Sequence, residues 1–315
     1  MRRSSHLKNN QDGFALVAVL WLIAILSLAA VTTLRVISFD MQVATAKVHG
    51  SRAFQLAEMG IATGSNPAVE RNDPLLHRID EANNEEVHVA INSEGARFNI
   101  NSLVFAEDKT LLRSIFIHWG LDFDSTRNLS AALTDWVDKD DEDDEVGGNG
   151  AEIEEYEKLG RLNQPFNRPF YDIEEMALVM GMDQIEFLRP DWRNWFTIWS
   201  AGTLDINEAD AELISVAAEV APELASIIPE TVRGTDNIRD TEDDVPFQDV
   251  ASALSLLGIG GETGQIIAQR FTVQDTTTRI ISTARSGDST RRITAIVRNR
   301  TGRPILLDRI TEIVP

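Results

Sequence analysis

The chain has 315 residues, of which 43% are hydrophobic and 25% are charged, and its formal net charge is -21. This composition is typical of a globular protein and excludes extensive disorder, whereas the acidic balance disfavours nucleic acid and anionic lipid headgroups as partners. The sequence has no cysteine, so disulfides, thiol nucleophiles and cysteine-ligated metals are excluded.

The first predicted element is a membrane-spanning helix over residues 14–34, FALVAVLWLIAILSLAAVTTL, which carry no charge. At about 1.5 Å per residue, this stretch covers the roughly 30 Å of bilayer hydrocarbon. Because Arg2, Arg3 and Lys8 precede it, the positive-inside bias predicts a cytoplasmic N-terminus with the rest of the chain exported. Amphipathic spacing continues the same helix to about Ala62.

A second feature of this segment is the Gly13-Phe14 junction at its cytoplasmic edge. A secretory signal peptide would instead end in a small-residue cleavage site, and no A-x-A-like site precedes Arg35. The junction resembles the leader of type IV prepilins and pseudopilins, which implies cleavage after Gly13 and methylation of Phe14. Most such subunits have glutamate at the fifth mature position, where this chain has Ala18. In lacking this glutamate, the chain resembles the minor pseudopilin K of type II secretion systems, the proposed tip subunit.

Beyond the helix, alternating apolar and polar residues predict five strands. Residues 86–92 alternate as a half-buried strand, and residues 93–95 provide a turn from which 96–100 returns as its hairpin partner. Residues 65–85 are polar and contain prolines, so they predict a loop or a short helix. The other strands lie near the C-terminus, at residues 278–284, 292–298 and 305–310.

The region between these strands has a helical pattern, which implies an insertion into a helix-and-sheet scaffold. Trp192, Trp195 and Trp199 recur at three- and four-residue steps within it, which favours core packing over an exposed ligand surface. The predicted helices cover residues 108–119, 126–137, 173–180, 183–191, 209–219 and 247–257.

The same region contains a faint internal repeat. Residues 99–103 read NINSL and residues 205–209 read DINEA, and each stretch opens a helical segment. The simplest interpretation is that Asn101 or Asn207 caps a helix.

Four stretches resemble successive signatures of the type II secretion K family: LTDWVDKD at 133–140, GAEIEEY at 150–156, NRPFYDIEEMALVMGM at 167–182 and LDINEADAELI at 204–214. The resemblance implies an α+β fold in which a long N-terminal transmembrane helix and a pilin-like α/β scaffold carry a large all-helical insertion. The implied domains are a prepilin leader at 1–13, the N-terminal helix at 14–62 with its span at 14–34, the pilin-like α/β domain at 63–102 and 271–315, and the inserted helical domain at 103–270.

The densest acidic feature is DKDDEDDE at residues 138–145, which is followed by a glycine-rich turn. Calcium takes six to eight oxygen ligands, and a flexible turn lets carboxylates from both flanks converge on an ion. A solvated loop is the alternative that the spacing alone favours, and the stretch is not an EF-hand, because Asp143 stands where that loop needs glycine. A second acidic stretch, residues 236–244, could hold another ion, but a solvated loop is the favoured interpretation there.

Family resemblance changes this balance, because members of the K family bind calcium in the helical domain. Asp138, Asp140 and Glu152 fall on the family's D-x-D and G-A-E motifs and are the implied ligands. Asp144 and Glu145 are further candidates because they lie within local reach. Asp135 belongs to a predicted helix, where it could equally cap or pair structurally.

Catalytic signatures are absent from the sequence. The five histidines are isolated, with none at a metal-ligand spacing, and no nucleophile elbow or phosphate-binding loop occurs. Residues 257–270, LGIGGETGQIIAQR, resemble the helix-hairpin-helix of DNA-binding proteins, and the C-terminal strands are rich in arginine. Net charge and export argue against nucleic acid as a partner, and a tight helix-helix corner accounts for the glycines.

The expected function is therefore that of a non-catalytic minor pseudopilin, held in the bacterial inner membrane with its C-terminal domain in the periplasm until it is placed at the pseudopilus tip. The resemblance implies the minor pseudopilins I and J as partners and secreted substrates as further candidates. The alternative is a single-pass, calcium-dependent periplasmic binding protein that recognises exported substrates.

Overall fold

The computed structural model describes residues 11–139 and 150–314. Its first element is α1 (Gln11–Gly64), a helix of 54 residues. Side chains from Phe14 to Val48 are exposed, and the helix is long and apolar enough to cross a membrane. The prediction of one continuous helix from the span to about Ala62 is confirmed.

Short helices and strands make up the rest of the described chain. The strands are β1 (His77–Asp80), β2 (Glu85–Ser93), β3 (Phe98–Asn99), β4 (Phe196–Thr197), β5 (Leu204–Asp205), β6 (Phe271–Thr272), β7 (Thr277–Ser286), β8 (Ser289–Arg298) and β9 (Ile305–Val314). The helices are α2 (Ile100–Phe105), α3 (Thr110–His118), α4 (Phe123–Asp135), α5 (Ile153–Lys158), α6 (Met182–Leu188), α7 (Ala211–Ala218), α8 (Pro222–Ala225), α9 (Ile227–Val232), α10 (Val250–Leu256) and α11 (Gly261–Ala268), with 3-10 turns at Pro74–Leu76, Glu94–Ala96, Ile173–Leu178 and Trp192–Asn194.

The main sheet has five antiparallel strands in the order β1-β2-β7-β8-β9. Apolar side chains of β2, β7 and β8 face the C-terminal part of α1 and form one buried cluster with it. The three predicted C-terminal strands are confirmed, each a few residues longer than its pattern. This is an α+β fold, as the sequence predicts.

The predicted hairpin between residues 86–92 and 96–100 is wrong. β2 pairs with β1 on one side and β7 on the other, while Phe98 and Asn99 form β3, which pairs in parallel with β4. Residues 77–80, which the sequence predicts as loop or short helix, form the edge strand β1. This strand has only four residues, and none of them is buried, so it shows no alternating pattern.

Helix α1 lies very close to the sheet, because small residues face it. A Cβ atom built on Gly60 would lie 2.1 Å from Oγ of Ser282 and 2.9 Å from Cγ2 of Val89. Ala53 and Ala57, on the same side of the helix, are fully buried. Larger side chains at these positions would push the helix off the strands.

The end of α1 is held by a residue near the C-terminus of the chain. Nε of Arg300 donates to the carbonyl oxygen of Gly64 at 2.6 Å, and its Nη2 donates to the carbonyls of Asn66 and Val69. The carbonyl of Gly64 is one of those that a helix end leaves unsatisfied, and a cation also complements the negative end of the helix dipole.

The second buried cluster is the core of the helical region, built from residues between Phe98 and Phe271. Trp192 and Trp195 belong to it and are almost fully buried, and Trp199 is half-buried. Core packing, as predicted for these tryptophans, is confirmed for the first two. The predicted helices are all present, although residues 173–178 form a 3-10 helix.

The internal repeat is structural. Asn101 makes two hydrogen bonds with the backbone of Phe170, donating to its carbonyl at 3.0 Å and accepting from its amide at 2.8 Å. Asn207 makes the same pair with Phe247, at 2.9 and 2.8 Å. The interpretation of these two asparagines as helix caps is wrong, because Asn99 caps α2 and Asp210 occupies the cap position of α7.

Each half of the repeat begins and ends in a short parallel pair of strands, β3 with β4 and β5 with β6. In the first half, the acidic loop that follows α4 precedes Phe170. In the second, residues 236–244 follow α9 and precede Phe247. The two acidic loops therefore occupy equivalent places in the two halves.

Candidate functional site

The first candidate surface is the exposed N-terminal part of α1, residues 14–48. Gly13 and Phe14 lie in the first turns of the helix, and Phe14 is 78% exposed. Ala18 lies one turn further along, within a stretch that has no charged side chain up to Arg35. Such a stem can pack against lipid or against other apolar helices, since it buries nothing within its own chain.

The second candidate is the pair of chain segments that flank the acidic loop. Asp135, the last residue of α4, is fully buried, and its Oδ2 accepts a hydrogen bond from the amide of Ala151 at 2.7 Å. This bond joins the two ends of the loop. Asp138 therefore lies on one flank and Glu152, at the cap position of α5, on the other, as convergence on one ion requires.

The carboxylates of these flanks are turned inward. All four carboxylate oxygens of Asp138 and Glu152 are shielded from solvent, although neither residue is fully buried. Carboxylates withdrawn from water are generally paired with cations or coordinate metals. Hard oxygen donors of this kind fit calcium, and the flanks are suited to hold such an ion.

An aromatic cluster supports both flanks. The ring of Trp136, directly after α4, lies 5.6 Å from that of Tyr156 in α5, 4.9 Å from that of Phe166 and 6.4 Å from that of Phe170. Burial raises the pKa of Tyr156 to about 12, and the negative charges of Asp135 and Glu152 add to the rise. The tyrosine thus stays neutral beside the carboxylates.

Three predicted ligands, Asp140, Asp144 and Glu145, lie outside the described residues. Among the residues that the structure does describe, no group of three or more histidine, aspartate or glutamate side chains is placed to share an ion. In those residues, the flanks alone would supply two of the predicted ligands, Asp138 and Glu152.

The second acidic loop is organised by its own hydrogen bonds. Asp243 accepts from the amide of Thr235 at 2.6 Å, from its hydroxyl at 2.7 Å and from the amide of Asp236 at 3.1 Å. Hydrogen bonds from Thr235 and Thr241 hold the pKa of Asp243 well below its ordinary value. These contacts are those of a folded surface turn.

A buried polar junction, which the sequence does not predict, joins the sheet to the helical region. Glu94 is fully buried and accepts hydrogen bonds from Arg279 of β7 and from the hydroxyl of Thr197 of β4. Arg97 also reaches it, at 3.4 Å. Burial alone would raise the pKa of Glu94, but the two guanidinium groups outweigh it, and the pKa lies below its ordinary value.

A second carboxylate lies next to this junction. Asp205 of β5 accepts from the amides of Asp275 and Asn207 at 3.0 and 3.1 Å. Gly95 makes room for it, since a Cβ there would lie 2.9 Å from Cβ of Asp205 and 2.6 Å from Cβ of Asp275. Burial raises the pKa of Asp205 to about 6, and nearby Glu208 adds to the rise.

Residues 257–270, which resemble a DNA-binding hairpin, and several arginines of the C-terminal strands have roles within the chain itself. The glycines form the corner between α10 and α11, where Gly258 has a φ of 71°. Arg285 pairs with Glu86 at 3.2 Å and Arg309 pairs with Glu58, while Arg279 and Arg300 hold the contacts given above. The arginines thus complement the chain's own acidic and carbonyl groups.

Taken together, the fold defines a class of protein. The C-terminal part of the long helix packs against an antiparallel sheet, and its N-terminal part projects away from the sheet. This is the architecture of pilin-like subunits. The structure is similar to a chain in the crystal structure of the GspK-GspI-GspJ complex from the enterotoxigenic Escherichia coli type 2 secretion system. The TM-score is 0.61 at 16% identity, covering 87% of this chain and 98% of that chain.

A family model matches one part of the chain. Residues 96–190, which include the acidic loop and its flanks, match the family model of the type II secretion system (T2SS), protein K. The comparison with curated proteins gives no match. The match to the family model covers less than a third of the chain, and together with the similarity of fold it supports the resemblance to the type II secretion minor pseudopilin K that the motifs predict.

Proposed function

We propose that this chain is a minor pseudopilin of a type II secretion system, which is placed at the tip of a periplasmic pseudopilus and helps to initiate its assembly. Before assembly it is held in the inner membrane by residues 14–34, with its sheet and helical region in the periplasm. The protein has no catalytic role in this proposal. Its partners are the minor pseudopilins I and J, a proposal supported by the similarity of its fold to a chain of the GspK-GspI-GspJ complex.

The observation that carries the proposal is the stem of α1. Its exposed apolar side chains from Phe14 to Val48 need partners, and neighbouring pseudopilin stems provide them. In related subunits, a glutamate at the position of Ala18 pairs with the N-terminal amine of the next subunit. A subunit with nothing above it has no amine to meet, and an unpaired carboxylate in the membrane would cost several kcal/mol. An alanine at position 18 avoids this cost and is therefore compatible with a place at the tip of the pseudopilus.

Co-expression with minor pseudopilins I and J and with the prepilin peptidase that cleaves and methylates such subunits tests this function. We expect the full chain, purified in detergent, to form a stable complex with both, and the intact mass of the chain in that complex to show a methylated Phe14 as the first residue. Omission of either partner provides the control. A monomeric chain that retains residues 1–13 in the presence of both partners would contradict the proposal.

The alternative function is a single-pass, calcium-dependent binding protein that recognises exported substrates. The observation in its favour is the acidic helical region, whose flanking carboxylates fit a cation. Binding of secreted substrates by a chain that forms no complex with I and J would support this alternative.

We also propose that calcium binds at the acidic loop, through Asp138 and Glu152 on its flanks and Asp140, Asp144 and Glu145 within it. The ion would neutralise the crowded carboxylates and fasten α4 to α5. The shielded oxygens of Asp138 and Glu152 and the bond from Ala151 to Asp135 support this proposal.

Thermal unfolding in calcium and in chelator tests the site. A ligand at 100 times its Kd stabilises the native state by about 2.7 kcal/mol, which corresponds to a rise in Tm of about 4 °C for a chain of 315 residues. We expect Asp138→Asn and Glu152→Gln to lose most of this rise. The matched control is Glu242→Gln, which removes an exposed carboxylate from the second acidic loop. An equal rise in all four proteins, or none in the wild type, would refute the site.

A further inference from the structure

A pair of histidines that lie eleven residues apart in sequence meet at the edge of the main sheet. β1 and β2 pair in antiparallel register, and His77 stands directly opposite His88. The centroids of their rings are 4.4 Å apart, and the ring planes are nearly perpendicular, at 86°. Both side chains are exposed, so that their nitrogen atoms are accessible from solvent.

We propose that His77 and His88 form a binding site for a divalent transition-metal ion such as Zn²⁺, Ni²⁺ or Cu²⁺. Imidazole nitrogen is a preferred ligand of these ions. With metal–nitrogen bonds of about 2.0–2.1 Å, two imidazoles on one ion place their ring centroids about 4.5 Å apart at the right angle of square-planar or octahedral sites, and about 5.2 Å apart at the tetrahedral angle that Zn²⁺ prefers. The separation of 4.4 Å in the structure is close to these values, and rotation of the side chains would turn one nitrogen of each ring toward the ion.

The backbone presents this pair in advance. Opposed residues of an antiparallel ladder have Cβ atoms about 4.5–5.5 Å apart, and the ladder fixes that separation before any ion arrives. On the other side of His88 the opposed residue is the uncharged Thr283, which separates His88 from the nearest cation of this row, Arg292, whose Nε donates to the hydroxyl of Thr283 at 3.3 Å. Water completes the coordination, because the described residues provide no third ligand in the required position.

The histidine pair differs from the acidic loop in both location and chemistry. Calcium prefers oxygen donors, whereas two neutral imidazoles favour softer first-row ions. A bound ion would cross-link β1 to β2, and β1 is the short outer strand of the sheet. The site therefore fastens a sheet edge that has few contacts of its own. A simple edge-to-face contact between the rings is the alternative that an experiment must exclude.

Titration of the full chain in detergent tests the site, using a tag without histidine and saturating calcium to fill oxygen sites. We expect Zn²⁺ to bind and to raise the Tm. His77→Gln and His88→Gln should each weaken binding by at least tenfold, because even loss of a group that only orients a metal ligand costs about 10- to 100-fold. The control is His118→Gln, which removes a histidine bound to Glu212 at 3.1 Å.

Electron paramagnetic resonance of the Cu²⁺-loaded chain separates this site from scattered carboxylates. The wild type and His118→Gln should show two coupled nitrogens per copper, and each variant of the pair should show at most one. Equal affinity in all variants, or a copper signal without two nitrogens in the wild type, would overturn the proposal.

Discussion

Replacing Gly60 with valine is expected to lower the free energy of unfolding by about 3 kcal/mol, toward the upper end of the usual cost of overpacking a core. The Cβ of residue 60 would lie 2.1 Å from Oγ of Ser282 and 2.9 Å from Cγ2 of Val89. Ser282 is fully buried and Val89 is 3% exposed, so neither can move into solvent. The clash outweighs the gain in helix propensity, which is about 0.5 kcal/mol or less for valine over glycine.

The matched control for this variant is Ala62→Val, which adds a branched side chain to the same helix at an exposed position. It should change the free energy of unfolding by about 0.5 kcal/mol, the difference in propensity. Urea unfolding of both variants in detergent, followed by tryptophan fluorescence, gives the comparison. Similar stabilities for Gly60→Val and Ala62→Val would show that α1 does not lie against the sheet as described.

How much of this fold is predictable from sequence depends on how local its patterns are. The long helix has an unbroken apolar run followed by amphipathic spacing, and strands β2 and β7 alternate clearly. β1 escapes prediction because none of its four residues is buried. β3 escapes because both of its residues are buried and its partner, β4, lies almost one hundred residues away.

The candidate sites show the same division. Asp138 and Glu152 lie on recognisable motifs on either side of a dense acidic run, so that the sequence alone indicates both. His77 and His88 come together only through the pairing of a strand that has no pattern, and the sequence leaves them isolated. Asn101 and Asn207 share a motif, but the backbones they bind lie 69 and 40 residues away. Patterns within a segment are predictable, whereas contacts across the chain are not.

Glu94 is a buried example of such a contact, because Arg279 lies 185 residues and Thr197 lies 103 residues further along the chain. We expect Glu94→Gln to lower the free energy of unfolding by about 3 kcal/mol, the lower end of the range for removing one partner of a buried ion pair. The lower end applies since Arg97 and Arg279 retain some exposure, 19% and 26% of their side chains. The matched control is Glu155→Gln, which breaks the exposed pair with Lys158 and should cost less than about 0.5 kcal/mol.

The dependence on pH distinguishes the loss of a charge at Glu94 from a simple packing defect. Because the folded-state pKa of Glu94 is lowered, its ion pairs contribute stability at neutral pH, and this contribution is lost as the pH falls through the folded-state pKa. The difference in unfolding free energy between the wild type and Glu94→Gln should therefore be constant near pH 7 and shrink at acidic pH. Urea unfolding across this range measures it. A difference that stays constant at every pH would mean that shape, not charge, joins the sheet to the helical region.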